Sequence, residues 1–292
     1  KTATPSPAAP PAAECLGAPS MEIPPKTTEW AIKTAGLTRQ FGSLAAVDHV
    51  SLEIPYGEIF GMLGANGAGK STMLKMLTTL LEPTTGTAEV GGFDLRRFPA
   101  EIRGRIGYVP QLLSADGSLT GYENLMLSAK LYGLGREDRH RRIADALDFM
   151  ELAEASRNLV KTYSGGMIRR LELAQAMLHR LAILFLDEPT IGLDPMARHS
   201  VWSRLRNLRR DYNMTVLITT HDMEEAEALC DELAILHAGR IAVVGQPGPL
   251  KERLGAEATM DDVFAHYAGG GIRDGGDFRA AVQTRRTSQR LG

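Results

Sequence analysis

The sequence predicts an α/β fold, a mainly parallel core sheet interrupted by a helical insertion. Three observations predict it. Short β-branched or leucine-rich runs, "EIFGMLG" (58–64), "AILFLD" (182–187) and "TVLITTH" (215–221), are of the kind buried on both faces of a parallel sheet. Segments with helical spacing separate or follow them, "KSTMLKMLTTLL" (70–81) and "PMARHSVWSRLRNLRRDY" (195–212). The stretch 113–180 reads mainly as helix, with Ile143, Leu147, Met150 and Leu152 at roughly helical intervals and no strand candidate among them.

Composition bounds the rest. At 292 residues, 43% of them hydrophobic, the chain can bury a full core as one large domain or a large and a small one. A net charge of −2 gives no basic balance that would call for nucleic acid or an anionic membrane surface as the main partner. Cys15 and Cys230 lie far apart without metal or redox spacing, which fits a reducing, cytoplasmic compartment, and Cys230 reads as a plain helix residue. The longest purely apolar run of the core region, 181–186, is far short of the roughly 20 residues that span a bilayer. A membrane role therefore has to come through a partner. Residues 1–29 read as a disordered Pro/Ala-rich leader, 30–267 as the folded domain, and 268–292 as a glycine-led basic tail.

The first strand and helix enclose "GANGAGKS" (64–71), the GxxxxGK[ST] pattern in its confirming context. Gly64, Asn66, Gly67, Ala68 and Gly69 form a loop whose amides curl around phosphate oxygens. Lys70 reaches the β and γ phosphates, Ser71 offers a hydroxyl to Mg²⁺, and Thr72 continues into the helix. "AILFLDEPT" puts two carboxylates at the C-terminal end of a strand, where ligands of open α/β sheets sit. Asp187 is expected to hold the Mg²⁺ shell and Glu188 to polarise an attacking water. A later strand delivers His221 to the same edge as a γ-phosphate contact. "YSGGM" (163–167) sets a second anion-binding helix start, through Tyr163, Ser164, Gly165 and Gly166, well away in sequence from the first loop.

In order, "GANGAGKS", "YVPQ" (108–111), "YSGGM", "LFLDEP" (184–189), "GLD" (192–194) and "TTHD" (219–222) resemble the ATP-binding subunit of an ABC transporter over about residues 30–267. The flanking "AVDHVSLEI", "LTTLLEPTTGTAEVGGFDL", "LTGYENL" and "ATMDDVFAHYAG" are similar to the daunorubicin-resistance type of exporter ATPase. The resemblance implies a P-loop NTPase of ABC type, with an N-terminal antiparallel β portion and ATP and Mg²⁺ as cofactors. It implies Phe41 against the adenine ring and Gln111 as a lid glutamine linking Mg²⁺ and the attacking water to the helical insertion. Asp194 falls in the loop that crosses between subunits. Tyr163 and Met167 depart from the commonest family form, which has Leu and Gln there.

A second anion-binding helix start is explained if two copies face head to tail, each completing the other's site. The expected partners are thus a second copy of the chain and a separate integral membrane permease docking near Gln111, with the subunit peripheral on the inner face of the membrane; no nucleic acid is expected. A chromosome-maintenance ATPase would separate the two loops by long heptad arms, and a ribosome-associated relative would carry two ATPase copies. A binding-only pseudo-ATPase would be expected to have lost Lys70, Glu188 or His221. Import rather than export is the remaining alternative, and the flanking resemblance favours export.

Overall fold

The computed structural model describes residues 29–179 and 181–269. The expectations for the leader, for Cys15 and for residues 270–292 lie outside the described residues. The strands in chain order are β1 (Trp30–Phe41), β2 (Leu44–Pro55), β3 (Ile59–Leu63), β4 (Thr85–Val90), β5 (Phe93–Asp94), β6 (Ile106–Val109), β7 (Ile183–Asp187), β8 (Thr215–Thr220), β9 (Glu232–His237) and β10 (Arg240–Gly245). The helices are α1 (Lys70–Leu77), α2 (Pro99–Arg103), α3 (Gly121–Leu131), α4 (Arg136–Phe149), α5 (Gly165–Met177), α6 (Pro195–Tyr212), α7 (Met223–Leu229), α8 (Pro247–Glu252) and α9 (Met260–Ala268).

The central sheet runs in the order β10-β9-β3-β8-β7-β6, parallel from β9 to β6 and antiparallel between β10 and β9. Its middle strands are buried on both faces, which is why they read as continuous apolar runs rather than alternating ones. The period of two still sorts their side chains. Ile59 and Leu63 of β3, Leu184 and Leu186 of β7, and Val216 and Ile218 of β8 join the core shared with α5, α6, α7 and α9. Phe60, Met62, Ile183, Phe185 and Leu217 join the opposite core, with α1 and a second sheet. Each such side chain, fully buried, contributes about 1.5–3 kcal/mol.

That second sheet, β2-β1-β4-β5, is antiparallel throughout. It supplies the expected N-terminal β portion, with register shifts around Gly36, which lies in the left-handed region at φ 57°. The stretch read as mainly helix carries the helical layer α3–α5, and Ile143, Leu147, Met150 and Leu152 are all buried in it. α3 starts on a capping box of Thr120 and Glu123, α6 on Asp194 followed by Pro195, and α9 on a box of Thr259 and Asp262. Cys230 corrects its helical reading: α7 ends at Leu229 and Cys230 is the extended, buried residue after it, its thiol pushed well up by burial. Among the described residues, no helix is long and apolar enough to cross a membrane.

Candidate functional site

Four adjacent parallel strands end at one edge of the central sheet, and each delivers a predicted residue there. β3 runs into the 64–71 loop, β8 into His221, β7 into Asp187 and Glu188, and β6 into Pro110 and Gln111. Residues separated by up to 157 positions in the chain (221 − 64) therefore meet because the strand order places their ends side by side.

The loop is built for an anion. α1 begins at Gly69 with no side-chain cap, so the first amides of the helix are left for a ligand. Gly69 itself sits at φ 106°, and a Cβ there would lie 2.3 Å from the Ala46 carbonyl oxygen. The loop is braced from outside: the Gly239 amide, in the β9–β10 turn, donates to Ala68 O at 3.0 Å, and the Gly64 amide donates to Thr220 O at 3.2 Å. Asn66 and Gly67 are exposed at its tip, Ser71 and Thr72 half-buried at the helix start.

Glu188 is the point on which the catalytic candidates converge. Its Oε1 lies 3.3 Å from Lys70 Nζ, and its Oε2 takes a hydrogen bond from Gln111 Nε2 at 3.3 Å and faces His221 Nδ1 at 3.2 Å. Lys70 Nζ also donates to Gly64 O at 2.7 Å and Ala65 O at 3.2 Å. The Glu188 backbone lies at φ 48°, a region costly for a non-glycine residue, and is held there by donation of its amide to Thr219. Glu188 and Lys70 are buried, whereas His221 is exposed at the mouth of a cleft of about 140 Å³ lined by Glu188, Thr190, Arg198 and Asp222.

Asp187 and Ser71 make a matched pair. The Ser71 hydroxyl donates to Asp187 Oδ1 at 3.0 Å, and Thr219 Oγ1 donates to the same oxygen at 2.6 Å, fixing the carboxylate. These are hard oxygen donors suited to Mg²⁺, and among the described residues no cluster of His, Cys, Asp and Glu forms a complete protein cage. The residues thus fit a cation that draws its remaining ligands from phosphate and water. Burial, and secondly the Asp187 carboxylate, push the Tyr108 phenol up to about 12.

The second helix start lies elsewhere. Ser164 caps α5 by accepting from the Met167 amide at 3.3 Å, and Asp194 caps α6 by accepting from the Ala197 amide at 2.9 Å. The two starts pack together: a Cβ on Gly166 would meet Ala197 Cβ at 2.8 Å, and one on Gly165 would meet Leu193 at 3.1 Å. Ser164, Gly165 and Asp194 are exposed. Tyr163, just before that start, has its ring buried in the helical layer over Gly121, and its hydroxyl donates to Ala155 O at 2.7 Å. Phe41, at the end of β1, is 46% exposed, which rules out a core role, and the Arg39 guanidinium sits 4.6 Å from its ring centroid.

Sequence reasoning missed four polar residues here. Thr219 holds both Asp187 and the Glu188 amide. Glu225, buried, takes hydrogen bonds from Thr190 Oγ1 at 2.6 Å and Trp202 Nε1 at 3.0 Å behind the cleft. Arg169 and Glu172 form a buried ion pair on α5, at 2.9 Å. The available signal for the last three was a charge set within the apolar face of a helix.

Known proteins resemble this chain in sequence and in fold. Residues 47–191 match the family described as ABC transporter. The chain is 44% identical over 226 residues to the daunorubicin/doxorubicin resistance ATP-binding protein DrrA of Streptomyces peucetius, spanning 77% of this chain and 68% of that one. It is 41% identical over 240 residues to the Nod factor export ATP-binding protein I of Sinorhizobium fredii, spanning 82% and 68%. Among solved structures, an ATP-binding subunit of an ABC transporter superposes with a TM-score of 0.71 at 28% identity, over 81% of this chain and 99% of that one. A dimeric post-hydrolysis cassette, MJ0796 bound to ADP and Pi, gives 0.66 at 26%, over 74% and 98%.

Proposed function

The chain belongs to the ABC transporter family as an ATP-binding subunit, and from that premise we propose that it hydrolyses ATP between two head-to-tail copies to drive a separate membrane permease that exports a drug-like, lipid or other hydrophobic compound. The observation that carries the reading is the Glu188 carboxylate, held between Lys70, Gln111 and His221.

In this reading the β and γ phosphates lie on the amides at the start of α1, and Lys70 turns from the loop carbonyls to a γ-phosphate oxygen. Mg²⁺, held by Ser71 and Asp187, would neutralise charge on the β and γ phosphates. Glu188 takes a proton from water as the water oxygen bonds to the γ phosphorus and the bond to the β-phosphate oxygen breaks. Gln111 orients that water and His221 contacts the departing phosphate. Phe41 stacks on the adenine with the ring face opposite Arg39.

The exposed start of α5, with Ser164, Gly165 and Gly166, and Asp194 beside it, are read as completing the site of a second copy. Bound ATP then favours the closed dimer through its differential affinity for that state. Exposed Leu112 and Leu113, 82% and 51% accessible beside Gln111, support a permease contact at that point. Export is favoured by relatives named for drug resistance and for Nod factor export. The subunit would then sit in the cytoplasm, on the inner face of the membrane.

The test is Glu188→Gln. ATP affinity is expected to persist while turnover falls by about 10²–10⁴, since the amide keeps the shape and loses the base. Near-normal turnover would remove Glu188 from the reaction.

A further inference from the structure

We propose that the buried Arg169–Glu172 pair on α5 is a positioning device that carries engagement of the Ser164 helix start to Gln111, so that Arg169 is a positioning residue for ATP hydrolysis. This rests on the ATPase reading above. Arg169 is 2% and Glu172 3% exposed, a costly place for two charges. Their hydrogen bonds show where they act. Arg169 Nη1 donates to Pro110 O at 2.8 Å and Nη2 to Gln111 O at 2.9 Å, while Nη1 also meets Glu172 Oε2 at 2.9 Å. Glu172 Oε1 takes the Ser114 amide and, at 3.0 Å, the Ser114 hydroxyl.

Both ends of segment 110–114 are thereby fastened to one helix. That helix starts at the exposed Ser164, less than two turns before Arg169. The fastened segment carries the Gln111 side chain, which reaches Glu188, and the exposed Leu112 and Leu113. A helix moves as a rod, so displacement of its start by a second copy's phosphate shifts Gln111 against Glu188 and moves the two leucines with it. The planar fork of a guanidinium reaches two successive carbonyls at once; a lysine ammonium on the same stem does not reproduce that geometry. Burial lowers the Arg169 pKa and Glu172 opposes the shift, so the charge is retained at the expense of solvation.

The experiment uses the full chain and a double-mutant cycle. Arg169→Lys is expected to lower kcat about tenfold while the dissociation constant for a fluorescent ATP analogue stays within about twofold. In a Gln111→Ala background the same substitution should cost less than about twofold, because the route is already cut. An undiminished kcat in Arg169→Lys, or an equal loss in both backgrounds, overturns the proposal. Arg169→Met combined with Glu172→Met guards against misfolding, since an apolar pair is expected to preserve or raise the thermal midpoint. A kcat in that variant as low as in Arg169→Lys supports positioning; wild-type kcat there overturns it. Glu188→Gln is run alongside: if it turns over like wild type, the ATPase reading falls and takes this one with it. If it is inactive while the cycle is additive, the positioning role alone falls.

Discussion

Lys70 Nζ lies 3.3 Å from Glu188 Oε1, and the two side chains are only 4% and 8% exposed. The cation that should grip the γ phosphate and the carboxylate that should activate water therefore hold one another. An incoming phosphate oxygen has to take over the ammonium, and in doing so frees the carboxylate. Lys70→Ala removes the grip and leaves a buried carboxylate facing the phosphate. Loss of a charge-assisted hydrogen bond of about 1.5–3 kcal/mol predicts Mg-ATP affinity weaker by at least about tenfold. Titration calorimetry checks this, and unchanged affinity would reject the loop as the phosphate site.

Gly69→Ala should damage the same loop for a steric reason. The left-handed backbone at φ 106° excludes an ordinary side chain, and the added Cβ would meet Ala46 O at 2.3 Å. The expected outcome is a loss of stability of about 1–3 kcal/mol together with loss of ATP binding. Denaturant unfolding and nucleotide binding read the two effects separately. Wild-type behaviour in both would mean that the loop tolerates a shape other than the one described.

Phe41→Ala isolates the base. The ring is half-exposed, so its removal should leave the unfolding midpoint nearly unchanged. A lost base-stacking contact of about 1–3 kcal/mol should weaken ATP binding by about five- to 150-fold. ATP and GTP are expected to lose similar amounts, since stacking is indifferent to base edges. Unchanged ATP affinity would remove Phe41 from the nucleotide site.

What the sequence made legible follows from how each element is buried. β3, β7 and β8 showed as apolar runs because both their faces are covered, and α6 matched its predicted span of 195–212, bounded by Pro195 and the left-handed Asn213. β1 was legible only through family resemblance: its register shifts near Gly36 break the alternation that would mark a strand. β6 is four residues with a glycine, too short to carry a period, and only the "YVPQ" motif at its end marks it. At the site, residues carried by glycine-rich or strand-end motifs were found. Arg169, Glu172 and Glu225 were not, because their partners are backbone or side chains brought close only by the fold.

Glu225 gives a prediction in pH. Burial pushes its carboxyl up, against hydrogen bonds from Thr190, Thr220 and Trp202 that favour the ionised form. The native state therefore keeps this proton to higher pH than the unfolded chain does. Stability from Glu225 is complete below the ordinary carboxyl range and is lost as pH rises through the raised native value. Glu225→Gln keeps an acceptor for Thr190 and Trp202 without the charge. Its unfolding midpoint should gain on wild type as pH is raised from about 5 to about 9. Parallel curves would show that Glu225 titrates normally.

The role of Ser164 toward a second copy can be tested without relying on turnover. Ser164→Arg crowds the helix start of α5 but leaves the chain's own 64–71 loop able to bind nucleotide, whereas Lys70→Ala does the reverse. In a homodimer of either variant both composite sites are damaged. A mixed dimer instead puts both lesions in one site and leaves the other with an intact Lys70 from one copy and an intact Ser164 from its partner. Because such dimers can require two working sites for hydrolysis, association is the safer readout. With Glu188→Gln added to both chains to prevent hydrolysis, ATP-dependent dimerisation by light scattering is expected to be stronger in the mixture than in either parent. The gain comes from one intact bridge, and it should disappear when ATP is replaced by ADP, which lacks the γ phosphate that the second helix start would hold. Equal association in all three samples would mean that residues 163–167 do not bind a partner's nucleotide, and the exposed start of α5 would need a different ligand.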